Sequence, residues 1–210
     1  DYQAKSVLFT YNWSLIGNLR RLLQLMGIPE YERHRNTGSI RLESVMSFIT
    51  KILIAYSFIN EDDEILDVYE KKVSEFEDYL KGQALTTEEL RSEMIKILWD
   101  KYEEATDFEY ALIDEGQDWY SGEKAILMAL FGPEKLIIAH GNLQETRGEG
   151  IDWSQGLSRP TSGNKGDYKI HPLWAGVRMT PNLGEFVKTF AERTLKDNQY
   201  QRLRINEESE

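Results

Sequence analysis

At 210 residues the chain is long enough for one large domain or two small ones, and 40% hydrophobic with 11% aromatic content excludes a disordered protein. Asp and Glu number 36 against 25 Lys and Arg, and the net charge of −11 excludes coating nucleic acid by bulk electrostatics, so any such contact is local. The lack of cysteine excludes a disulfide framework or thiolate metal site and fits a reducing, cytoplasmic interior.

The start, DYQAKSVLFTY, is not a secretory signal, and no apolar stretch approaches membrane-spanning length. Residues 7–10 read as a strand. Residues 13–26 read as a helix ended by Gly27 and Pro29, with Leu15, Leu19, Leu22, Leu23 and Met26 as its apolar stripe. After the loop PEYERHRNTGS, periodicity predicts three helices over 40–58, 64–80 and 87–104, the last opened by a Thr86–Glu89 capping box. The acids of 61–78, EDDEILDVYEKKVSEFED, form the solvated face of the middle helix.

The character changes at Phe108. YALID is a strand, 121–131 a helix and 135–140 a second apolar strand, which together predict a βαβ unit with a parallel sheet. Residues 141–168 hold six glycines and read as a long loop. Residues 170–177 read as a further strand, and 183–195 as a helix with Pro181 near its first turn. In outline, a helical insertion sits inside an α/β sheet domain.

The stretch LIDEGQDW carries the chemistry. A doubly buried strand is a short continuous apolar run, and its end faces the crevice where open α/β sheets bind ligands. Here that end bears Asp114 and Glu115, then Gln117 and Asp118. Adjacent acids at that place suit a magnesium ion carrying a nucleotide, one acid holding the metal and its neighbour orienting water. A surface turn in an acid-rich chain is the plainer explanation of such acids taken alone.

LIDEGQDW resembles motif II, the Walker B box, of superfamily I DNA helicases of the UvrD/Rep-like kind. Three further stretches resemble motifs of that family in the same order: VLFTYNWSL (7–15) motif Ia, LIIAHGNLQ (136–144) motif III, and LWAGVRMTPNLGEFVKTFA (173–191) motif IV. The resemblance implies a RecA-like P-loop NTPase sheet, incomplete here, with an inserted helical subdomain. Residues 1–28 would begin the first lobe, 29–106 form the insertion, 107–168 complete the lobe, and 169–210 open a second lobe.

By the same resemblance, Asp114 would hold Mg²⁺ and Glu115 would be the base that activates water. Gln144 would sense the γ-phosphate of ATP, and Arg178 would reach it as an arginine finger. Gln117 and Asp118 would belong to the nucleotide-site network. Thr10, Tyr11 and Asn12 would contact single-stranded DNA, RNA remaining open, with Tyr11 able to stack on a base. Each residue also has a plain structural reading. Thr10, Tyr11 and Asn12 form a strand end and helix cap, Gln144 is a solvated loop amide, and Arg178 pairs with an acid of the 61–78 run. The tryptophans read as packing residues, and His34, His140 and His171 lack metal-ligand spacing.

Three departures stand out. Gly141 replaces the Asp usual in motif III, and Val177 the Tyr usual in motif IV. No G-x-x-x-x-G-K-[ST] phosphate loop occurs. The resemblance would place that loop before Asp1 and motifs V and VI after Glu210, so the chain reads as an internal fragment of an ATP-dependent helicase or translocase. By itself it is expected to hydrolyse negligible ATP. The alternative is a non-catalytic interaction module that kept a degenerate helicase scaffold. A third possibility is that the basic stretch from Arg20 to Arg41 binds nucleic acid independently.

Overall fold

Apolar runs too short for helices, each closed by a polar turn, set the centre of the structure. The computed structural model describes residues 4–32, 39–60, 62–140, 151 and 153. Among these are four strands and five helices: β1 (Ser6–Thr10), α1 (Trp13–Leu25), β2 (Ile40–Ser44), α2 (Val45–Ala55), α3 (Ile65–Gly82), α4 (Thr87–Tyr102), β3 (Tyr110–Ile113), α5 (Ser121–Phe131) and β4 (Leu136–Ile138). The strands form one all-parallel sheet in the order β2-β1-β3-β4. The fold is α/β, and the expected β3–α5–β4 unit is present with the expected helix boundaries. The expected elements that fall within 141–210, including the strand over 170–177 and the helix over 183–195, lie outside the described residues, apart from Ile151 and Trp153.

One expected element is corrected. Residues 40–58 do not form a single helix: Ile40–Ser44 is a strand paired in register with β1, Leu8 opposite Leu42 and Thr10 opposite Ser44. The helix begins only at Val45, where the Ser44 hydroxyl accepts the Ser47 N–H at 3.1 Å. A Ser that ends a strand and caps a helix leaves no break in the apolar pattern, so the two elements read as one.

Register decides which side chains share a face. Val7, Phe9, Ala111, Ile113 and Leu136 turn to one side, where α2 through α5 bury them in a continuous core with Phe48, Ile52, Phe76, Leu98 and Leu127. Phe9 lies 4.7 Å from Phe48 between ring centroids, fixing α2 on this face. Gly122 brings α3 close to α5: a Cβ there would lie 2.5 Å from the Val73 carbonyl oxygen. The helices of 45–102 thus share their core with the sheet.

The other face carries Leu42, Leu8, Leu112 and Ile137 in one row across the four strands. Ile16 of α1 and Leu42 are buried outside the main core, so α1 covers the β2 end of the row. Toward β4 the cover thins, and Ile137 is 60% exposed. The predicted stripe on α1 is correspondingly half used: Leu22 and Met26 remain exposed. No helix among the described residues is long and apolar enough to cross a membrane.

Candidate functional site

β1 and β3 are parallel neighbours, so their C-terminal ends open on the same edge of the sheet. β3 is an interior strand, flanked by β1 and β4. The ladder continues to the acid: the Asp114 N–H donates to the Phe9 carbonyl at 3.0 Å. Beyond these ends lies an open cleft of about 300 Å³ lined by Thr10, Tyr11, Asn12, Leu15, Asp114, Glu115 and Asp118. The structure therefore brings together the two sequence stretches, TYN and DEGQD, that are a hundred residues apart. Gln117 is buried behind the cleft. Gln144 and Arg178 lie outside the described residues.

The acidic turn is held in an uncommon conformation. Glu115 has φ 49° and ψ 52°, the left-handed region that costs an L-residue about 1–2 kcal/mol. Several contacts impose it. The Gly116 N–H donates to the Ala139 carbonyl at 2.8 Å, tying the turn to the end of β4. The indole N–H of Trp119 donates to the Asp114 carbonyl at 3.1 Å, and that of Trp153 to the Gly116 carbonyl at 2.7 Å. The two indoles meet edge to face at 5.7 Å. Gly116 is required by this packing, since a Cβ would lie 2.7 Å from Ile138 Cγ2 and 2.9 Å from Trp153 Nε1. Gln117 reaches forward from behind, its amide donating to Glu115 Oε2 at 2.6 Å. The result is an exposed Glu115 carboxylate on a braced turn, oriented by a buried amide.

The opposite wall is the turn between β1 and α1. Asn12 caps α1, its Oδ1 accepting the Ser14 N–H at 2.9 Å, and Thr10 Oγ1 accepts the Asn12 N–H at 3.3 Å. The capping role is thus occupied, and both residues still line the cleft. Tyr11 makes two contacts: its hydroxyl donates to Glu123, and its ring meets that of Trp119 edge to face with centroids 5.7 Å apart. Of the tryptophans expected to pack, Trp119 and Trp153 do, whereas Trp13 and Trp99 are 67% and 53% exposed. Their helices present those positions to solvent. Trp174 lies outside the described residues.

Among the described residues, three carboxylates and no basic side chain line the cleft, a negative lining of the kind that attracts a cation. Among the described residues, no group of three or more His, Asp or Glu could hold a metal by itself. That donor set is wrong for a structural metal cage. Magnesium is commonly held by only one or two protein carboxylates, with water and phosphate oxygens completing its shell. A second cleft, of about 360 Å³, lies between α1 and β2 beside Trp13, Arg20, Arg41 and Lys51. Its cations are engaged internally: Arg20 with Glu30 at 2.5 Å, and Lys51 and Arg41 with Glu43 at 2.7 and 3.4 Å. Burial is the largest influence and pushes the Glu30 carboxyl up, but the Arg20 hydrogen bond and charge, the Leu42 N–H and the Arg41 charge together outweigh it, and the net shift is down.

Sequence reasoning missed Glu123 and the indole brace. Glu123 stands three residues after Tyr120 at the start of a predicted helix, a spacing that signals a reach-back cap, but its complete burial has no local signal. No protein-family model, curated protein or solved structure matches the chain.

Proposed function

We propose that the chain is the site-bearing core of an ATP-dependent motor of the superfamily I DNA helicase kind, built on a RecA-like sheet. The observation that carries this reading is the placement of Asp114 and Glu115. They end an interior parallel strand and face the Thr10–Asn12 turn across one cleft. In this reading Asp114 holds the magnesium of Mg-ATP. Glu115, exposed and steered by Gln117, takes the proton of the attacking water. Gln144 and Arg178 act on the γ-phosphate, and the Thr10–Asn12 turn faces single-stranded DNA. A triphosphate also needs a cradle of backbone N–H groups. Among the described residues β4 is an edge strand with Ile137 exposed, and a further strand carrying such a cradle would pair there.

The test is a backbone-amide NMR titration of the chain with Mg-ATP. Shifts centred on Asp114, Glu115 and Thr10–Asn12, lost in Asp114→Asn, are expected. Shifts elsewhere, or shifts unchanged in Asp114→Asn, would remove the reading. A phosphate-release assay on the same chain is expected to show negligible turnover; magnesium-dependent turnover abolished by Glu115→Gln would overturn that part alone. The reading as a non-catalytic module is favoured by Gly141 and Val177 at motif positions that usually carry Asp and Tyr. It predicts no response of the acidic turn to Mg-ATP.

A further inference from the structure

Glu123 has no solvent exposure, and a buried carboxylate is tolerated only when its lone pairs are met. Its Oε2 accepts the Tyr11 hydroxyl and, at 2.9 Å, the Tyr120 N–H; its Oε1 accepts the Tyr69 hydroxyl at 2.6 Å. The bond from Tyr120 is the ordinary duty of an acid at the third position of a helix. The two tyrosine hydroxyls are not, since they come from distant parts of the chain: the turn that walls the cleft, and α3.

The α3 side of this junction is held at three levels. Tyr69, Val73 and Glu77 recur at one-turn spacing and meet the start of α5 at successive levels. Tyr69 bonds Glu123, Val73 abuts Gly122, and Glu77 accepts the Ser121 hydroxyl at 2.7 Å. Burial, then the neighbouring Glu123 charge, pushes the Tyr69 hydroxyl up, which keeps it a donor. The Tyr11 side is the accessible one, being a half-buried wall of an open cleft.

We propose that Glu123 is a positioning residue that couples the cleft to α3. A ligand that displaces Tyr11 withdraws one donor from a buried anion, frees that carboxylate to shift, and so loosens its hold on Tyr69 and on the helix that carries it. Coupling of this kind is reciprocal. It goes beyond the nucleotide reading, because it holds for whatever occupies the cleft.

Hydrogen exchange of the whole chain, without ligand, tests it. Tyr69→Phe keeps the ring in α3 and removes only the hydroxyl. It is expected to speed exchange of the Leu15 and Ile16 amides, which are bonded to the Asn12 carbonyl, by about tenfold beyond the change in global stability, roughly the loss of one charge-assisted hydrogen bond. Tyr11→Phe is expected to do the same to α3 around Tyr69. Adding Tyr69→Phe to Glu123→Gln should have no further effect on the cleft turn. Exchange altered only in the substituted element, or uniformly in step with global stability, would overturn the proposal. Should Glu123→Gln fail to fold, the two tyrosine variants decide the matter. Since no nucleotide is used, this outcome is separate from that of the Mg-ATP titration.

Discussion

Glu115 occupies backbone space that glycine would enter freely, and it does so at a turn whose carboxylates line the cleft. Strain of this kind persists where surrounding contacts over-determine it. Glu115→Gly is therefore expected to raise stability by about 1 kcal/mol, the relief of a left-handed L-residue less the added freedom of the unfolded chain, while any function of the carboxylate is lost. Urea unfolding measures the first effect and the Mg-ATP titration the second. Gly116→Ala should go the other way, by about 1–3 kcal/mol, because Ile138 and the Trp153 indole must move. The acids at the strand end are legible in LIDEGQDW from the apolar run alone. The left-handed turn is not, because it is imposed by the Ala139 carbonyl and by an indole nearly forty residues downstream.

Among the elements, α4 carries a local start signal and is readable, whereas β2 carries none and is not. Thr86 and Glu89 announce α4, and the structure has the reciprocal pair, Glu89 Oε2 accepting the Thr86 N–H at 2.8 Å and Thr86 Oγ1 accepting the Glu89 N–H at 3.3 Å. Thr86→Ala should cost about 1 kcal/mol, measured by urea unfolding, with increased exchange confined to the first turn of α4. β2 had no such signal. IRLES alternates too briefly to separate from the helix behind it, and only its pairing with β1 makes it a strand. The α1 stripe shows the converse: periodicity found the helix, but Ile16, outside the predicted stripe, is the residue buried.

For the whole molecule, the βαβ unit implied a parallel sheet, and the sheet is parallel throughout. Its order was not legible, because β3 enters beside β1 only after three intervening helices have crossed the face. Those helices also bury tyrosines, which makes stability depend on alkaline pH. Desolvation raises the hydroxyl pKa of Tyr69, with the Glu123 charge next, and that of Tyr56, with the Glu93 charge next, above the usual 10.0. A folded-state pKa raised in this way gives a contribution fully present below the unfolded value and lost as pH climbs through the folded one. The melting temperature should therefore fall as pH rises beyond about 10, the unperturbed tyrosine value. Tyr69→Phe should flatten that fall, and a slope unchanged in the variant would place the dependence elsewhere.

The pair of indoles under the acidic turn gives the protein an optical gauge. Trp119 and Trp153 are shielded and pinned to carbonyls two residues apart, whereas Trp13 and Trp99 stand in water. Among the described tryptophans, the blue-emitting chromophores are thus those seated against the backbone of Asp114 and Gly116, and any occupant that reshapes that bend announces itself as a change in their light, without a label.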